Sequence, residues 1–474
     1  MICTSYNKLI ITNIVCIVSF ILMILWKYLH TYMFVRWGVL ITLAIFIFEI
    51  YHIYRVTNTI FHPIIIFLMS FYCFQNGQLL LLALDINFNT FYINTFPLLQ
   101  KKVVLFSCLS NIIAGLAGVW CVRKHKLQTY QPQSCIDRYP ASMVFIAVSV
   151  GAIISGIITI PILLIKFFYY GLTGGYYAVR AFEQSLPAIV PLLEYFFVAF
   201  CFLTIIFSST SHIRTLVYIV LFCWFVITAL CGDRTTGAAG ILVLIYIKYT
   251  MRSRKNKIIL PVISILLICF IRFSYIFRNK LDWMVLLTGH NIFISFLTEL
   301  GFSCFPLFLM MDIVPRTEPF LIGTQYLSSI LAGIFPSSLD FSGYIKRLVS
   351  NWNIYDDWIK TYYGQYTFGI GFSLNAEAYI NFGWFGICAI FIICIIVIKN
   401  LTYNTTLNKN NRYSFYKVVM LLFMWITLPR RCSYYIWNAL FWYIFMMGFY
   451  IHSFVYVLSC IYVHKKKISP LFRK

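Results

Sequence analysis

The chain is a series of long apolar runs separated by short polar joints. Runs long enough to cross a bilayer lie near residues 8–26, 34–54, 61–84, 103–122, 141–165, 187–207, 213–231, 235–250, 258–277, 374–398, 416–428 and 434–461. A helix of about 20 apolar residues spans the hydrocarbon layer. Without water, every peptide group must be satisfied inside its own segment, so these runs are expected to be helices. The expected fold is all-α: a polytopic integral membrane protein with twelve spans. The first run ends at Trp26-Lys27 with no small-residue cleavage site, and reads as a retained span.

One polar interval breaks the rhythm. Residues 278–373 form a long loop, expected to carry short interfacial helices. This divides the chain into a bundle of spans 1–9 (residues 1–277), the loop (278–373), and spans 10–12 with a basic tail (374–474). Seven of the fourteen acids fall between Arg278 and Glu377.

Composition agrees with the pattern. The 474 residues are 61% hydrophobic and 11% charged, against roughly a quarter charged in soluble domains. The net charge of +23 is not read as a nucleic-acid signal, because membrane proteins concentrate Lys and Arg in cytoplasmic joints. The fifteen cysteines are scattered singly, with no CxxC and no zinc spacing, so no metal site and no disulfide framework is expected. No P-loop or dinucleotide fingerprint occurs, and no cofactor is expected.

Orientation follows from charge. With both termini in the cytoplasm, the inner segments hold 21 Lys and Arg and the short outer loops hold 9. The long loop is discounted, since long loops cross regardless of charge. The loop is then extracytoplasmic, where no ATP is available, so any reaction there uses an already activated substrate or a gradient.

Several arginines stand on that outer side against the charge rule. Arg180 follows a Gly/Tyr-rich stretch, Tyr169–Tyr177. Arg234 closes the turn Gly232-Asp233-Arg234, Arg272 lies within the ninth span, Arg278 follows it, and Arg430-Arg431 form a pair before the last span. A guanidinium fork matches phosphate oxygens, so a lipid-linked pyrophosphate would account for them. Snorkelling to headgroups, or pairing with a neighbouring acid, is the plain alternative. Two carboxylates are candidate bases. Glu299 sits in the apolar stretch Phe296–Gly301, expected as a short interfacial helix, and Glu377 opens the tenth span. In that position Glu377 would also answer the helix dipole. Glu49 and Glu194 are intramembrane acids. Asp356-Asp357 reads as a solvated pair and His290 as a lone loop histidine.

Four motifs together resemble the Wzy-type oligosaccharide repeat-unit polymerases of bacterial O-antigen and capsule synthesis. They are Gly232-Asp233-Arg234; Glu299-Leu300-Gly301-Phe302-Ser303 with Val314-Pro315; Phe335-Pro336-Ser337-Ser338; and Gly371-Phe372-Ser373 with Glu377 and Asn381–Gly386. Arg430 or Arg431 matches a family arginine, and an Arg-x10-Gly spacing occurs at Arg278 and Gly289. The patches cover the second half of the chain. The resemblance implies an inner-membrane glycosyltransferase whose donor is a glycan on undecaprenyl pyrophosphate. Arginines would stabilise the leaving group, and Glu299 or Glu377 would activate the acceptor hydroxyl. It also implies membrane lipids, a flippase and a chain-length regulator as companions, and no nucleic acid. A lipid-linked oligosaccharide flippase, an O-antigen ligase and a membrane acyltransferase are the competing readings.

Overall fold

The computed structural model describes residues 2–86, 97–122, 134–187, 189–251, 273, 292–335, 353–364, 371–402 and 411–468. Among them the protein is all helical. The first stretch gives α1 (Ile2–Tyr28), α2 (Thr31–Thr57), α3 (Pro63–Ala83) and α4 (Pro97–Cys121). The next gives α5 (Ala141–Ile165), a π-helical turn (Lys166–Gly171), α6 (Leu172–Ser185), α7 (Ile189–Phe207), α8 (Ser211–Leu230) and α9 (Arg234–Met251). Then come α10 (Ile292–Gly301), α11 (Phe305–Ile313), α12 (Thr324–Ile334), α13 (Ile354–Tyr362), α14 (Leu374–Phe382) and α15 (Gly386–Thr402). The chain ends with α16 (Arg412–Trp425), α17 (Tyr434–Asn438), a π-helical stretch (Ala439–Met446) and α18 (Met447–Ile468).

Ten helices among the described residues are long and apolar enough to cross a membrane. Nine coincide with expected spans. The tenth, Phe293–Ile313, lies inside the interval expected to be a loop. Of the other expected spans, α9 and α16 are helical but are not among the ten, and 258–277 lies almost wholly outside the described residues. The protein is thus a multi-pass membrane protein whose span set differs in detail from the hydropathy reading.

The chain packs as two compact units. The first comprises Met1–Tyr130, Thr288–Thr402 and Met424–Trp437; the second comprises Gln131–Leu287, Tyr403–Phe423 and Asn438–Lys474. These units follow packing, not membrane sidedness, so each gathers segments far apart in sequence.

In the first unit, α3 is the central post. It is apolar enough to span, yet most of it is buried by protein. Helix α10 lies against it at a glycine contact. A Cβ on Gly301 would stand 2.2 Å from the backbone nitrogen of Gln78, and one on Gly77 would stand 2.9 Å from the carbonyl oxygen of Leu297. Only two glycines let the backbones approach this closely. The Glu299 segment is therefore packed on a helix of the bundle; it is not the free interfacial helix expected. Leu297 is the buried residue of this helix, and Phe293 is exposed.

In the second unit, α5 and α7 pack along each other, with the rings of Phe200 and Phe197 against Gly151 and Gly156. The Gly/Tyr stretch after α5 is the π-turn and the start of α6, not a loop. Its aromatic rings pair with one another: Tyr169 with Tyr170, and Tyr170 stacked on Phe182.

Candidate functional site

In the first unit, a run of polar residues interrupts the apolar surface of α3. Gln75, Asn76 and Gln78 are fully buried there. The Gln75 amide donates to the carbonyl of Pro429 (2.6 Å), and the Gln78 amide donates to the carbonyl of Thr298 (2.5 Å). The Ser70 hydroxyl donates to the carbonyl of Ile426. Residues three apart share a helix face. Two glutamines one turn apart therefore hold the turn that carries Arg430-Arg431 and the helix that carries Glu299. Buried amides bonded to backbone carbonyls satisfy groups that would otherwise be costly in an apolar interior.

Glu377 comes to the same turn from α14. Ser373 caps that helix, its hydroxyl accepting from the Ala376 amide (3.2 Å). One turn on, Glu377 is 0% exposed. Its carboxylate accepts the Ser433 backbone N–H at one oxygen and the Ser433 hydroxyl at the other, each at 2.7 Å. A charge-assisted pair of this kind fixes both partners. An acid placed only to answer the helix dipole would face solvent; this one is spent on the 428–433 turn. Asn375 anchors the helix from the other side by donating to the Ser110 hydroxyl of α4 (2.8 Å).

Further groups crowd this carboxylate. Ser329 and Tyr326 on α12 lie within electrostatic reach of it. Neighbouring Gln325 accepts from Asn381 of α14 (3.0 Å), and the Tyr326 ring stacks on Phe382. Burial pushes the Cys432 thiol well up, and Glu377 beside it adds to the effect. The Arg431 guanidinium lies 4.4 Å from the centre of the Tyr435 ring, a cation–π contact that orients it. Tyr355 of α13 stacks on Phe372 with ring centres 3.5 Å apart. Asp356, read as solvated, is partly buried and accepts from Asn353 (2.7 Å); burial raises its pKa.

The second unit gathers a separate charged cluster. Gly232, at φ 111°, turns the chain between α8 and α9 in a conformation open to glycine. Asp233 then accepts from the Thr236 amide (3.2 Å) and the Thr235 hydroxyl (3.1 Å), capping the start of α9 at Arg234. Nearby, Lys166 is buried and pairs with Glu194 (2.6 Å) and Glu183 (3.5 Å), while Arg180 pairs with Glu183 (3.0 Å). Asp233 acts on Glu194, which places the Arg234 turn beside this cluster. Burial pushes the Cys231 thiol up to about 12, with Lys166, Glu183 and Glu194 all close enough to act on it.

Of the expected site residues, Glu377 is bonded to the turn that carries Arg430 and Arg431 in the first unit, and the helix of Glu299 is held by the same helix α3 that holds this turn. Arg180 and Arg234 come together in the second. Arg272 and Arg278 lie outside the described residues, as does His290. Glu194 finds Lys166 as its partner. Glu49, also intramembrane, is buried against Gly115, with neither carboxylate oxygen hydrogen-bonded among the described residues. Gln75, Gln78, Ser433 and Lys166 are additions from the structure. The glutamines left a signal, since Gln-Asn-Gly-Gln is an unusual run within an apolar span. Ser433 and Lys166 left none. Among the described residues, no group of three or more His, Cys, Asp or Glu is placed to hold a metal ion.

A multi-pass membrane protein with buried carboxylates and arginines presented on short turns is the class that fold and site define. The chain belongs to the O-antigen polysaccharide polymerase Wzy family, whose family model matches residues 9–466, both halves of the chain. No curated protein and no solved structure matches it. The protein therefore polymerises repeat units into a polysaccharide. Membership decides for the polymerase over the flippase, ligase and acyltransferase readings.

Proposed function

We propose that the donor is a growing glycan on undecaprenyl pyrophosphate, and that transfer takes place at the outer face of the bacterial inner membrane, with both termini cytoplasmic. The observation that carries this reading is the joint suspension of Arg430-Arg431 and the Glu299 helix from one face of α3. It ties the turn of a cation pair and the helix of a carboxylate to one helix, and departure of a pyrophosphate from an acceptor attack calls for both kinds of group.

The acceptor is the non-reducing end of an incoming lipid-linked repeat unit. Its hydroxyl oxygen attacks the anomeric carbon of the donor. The bond between that carbon and the pyrophosphate oxygen breaks, and the leaving group takes the electron pair. Arg430 and Arg431 stabilise the charge that develops there. Glu299 takes the hydroxyl proton. Glu377, with both oxygens engaged by Ser433, is a positioning residue that holds the arginine turn. Arg180 and Arg234 are a separate set of cations in the second unit, of a kind suited to the phosphates of a lipid-linked unit. No nucleotide enters, because the pyrophosphate bond already carries the activation.

The test uses purified protein with a defined undecaprenyl-pyrophosphate-linked repeat unit, with and without chelator. A glycan ladder with stoichiometric release of undecaprenyl pyrophosphate is expected. Polymer formed from nucleotide sugars, with none from the lipid-linked unit, would overturn the reading.

A further inference from the structure

Lys166 is the unexpected member of the second unit's cluster. It lies in the π-helical turn after α5, its side chain only 7% exposed, with two carboxylates on its ammonium. One carboxylate is enough to neutralise a buried lysine, and Glu194 at 2.6 Å does so from within α7. Glu183 is therefore in excess. It lies further off, at 3.5 Å, and its other oxygen meets the exposed Arg180 at 3.0 Å. Two cations thus converge on the two oxygens of one partly exposed carboxylate.

We propose that Lys166 and Arg180 form a diphosphate seat, and that Glu183 occupies this seat as a stand-in until the lipid-linked substrate arrives. The inference rests on the reading of the donor as a lipid diphosphate. Phosphate oxygens replace the Glu183 oxygens at the same two donors and carry more charge. The Glu183 side chain is about a third exposed, with 32% of its surface open, and can rotate outward without disturbing the helix. Glu194 keeps Lys166 charged and aimed. The Arg234 turn, beside Glu194 through Asp233, stands at the same end of the unit. The stand-in has two consequences. It keeps a carboxylate on the Arg180 guanidinium when substrate is absent. It also lowers the apparent affinity, because only the fraction of molecules with Glu183 displaced can bind.

The sign of that second effect separates a stand-in from a structural ion pair. Full-length protein in nanodiscs is titrated with geranylgeranyl diphosphate, with geranylgeraniol as the uncharged control. Glu183→Gln is expected to bind the diphosphate roughly tenfold more tightly than the native protein, since a charged competitor for the two cations is gone. Lys166→Met is expected to bind it roughly tenfold more weakly. Because Lys166→Met leaves two acids together and can fail to fold, Arg180→Gln in the Glu183→Gln background gives a second arm, and should lose the gain. Unchanged or weaker diphosphate binding by Glu183→Gln overturns the proposal, as does a double variant that binds as tightly as Glu183→Gln. A native protein that binds the alcohol as well as the diphosphate overturns the donor reading and takes this inference with it. Preference for the diphosphate without a gain from Glu183→Gln removes this inference alone.

Discussion

The Glu377 carboxylate receives both the backbone N–H and the hydroxyl of Ser433, 56 residues away, at 2.7 Å each. This one pair joins the start of α14 to the turn that presents Arg430 and Arg431. It turns two separately recognisable sequence features into one structural object.

Glu377→Gln should therefore damage the turn more than the acid chemistry. An amide keeps one acceptor for the Ser433 N–H, but its NH2 meets the Ser433 hydroxyl only if the hydroxyl turns round to accept, and the charge that strengthened both bonds is gone. A loss of about 2 kcal/mol is expected, in the range for a buried charged hydrogen bond. Activity should fall through weaker donor binding, seen as a raised KM for the lipid-linked donor. Ser433→Ala, which keeps the backbone bond, should show the same kind of defect in milder form. A fall in kcat at unchanged KM in both variants would assign Glu377 to proton transfer.

Glu299→Ala and Arg234→Ala should each abolish polymer while the protein still inserts. The measurement is the glycan ladder on a gel beside an immunoblot of the membrane fraction. A full ladder from either variant removes that residue from the machinery.

Gln75→Leu and Gln78→Leu each leave a buried carbonyl without its donor. Each should cost about 1–3 kcal/mol, measured as a lowered thermal midpoint in detergent. The two should differ in a further way. Gln75 holds the arginine turn, so its loss should raise the KM for the lipid-linked donor. Gln78 holds the Glu299 helix, so its loss should lower kcat.

Gly301→Ala should fail outright. Its Cβ would stand 2.2 Å from the Gln78 backbone nitrogen, and backbone cannot yield as a flexible side chain can. Sharply reduced yield of folded protein is expected by size-exclusion chromatography. The neighbouring exposed Phe293→Ala should be harmless by the same assay.

Deletion of the gene should leave lipid-A core capped with a single repeat unit. Loss of a flippase or ligase would leave none. Ladder-length glycans that persist in the deletion strain would mean that another protein supplies the polymerase activity.

The sequence by itself determined the helical, multi-pass character of this protein. Apolar runs in a medium without water have no other way to satisfy their backbones, so hydropathy is nearly sufficient. It also marked candidate residues: arginines on short turns and acids in apolar surroundings stand out because their cost must be met by a function or a partner. Three things required the tertiary structure. The Glu299 segment became part of a packed bundle because Gly77 and Gly301 let two backbones meet, and neither glycine advertises its partner. Glu377 became the clamp of a distant turn because Ser433 lies within reach of it in space. Lys166, counted among loop lysines, became a buried ion-pair centre because α5, α6 and α7 bring two acids to it. Local pattern reports how a segment meets solvent or lipid. Which polar group answers which is set by distances between segments far apart in the chain, and those exist only in the folded protein.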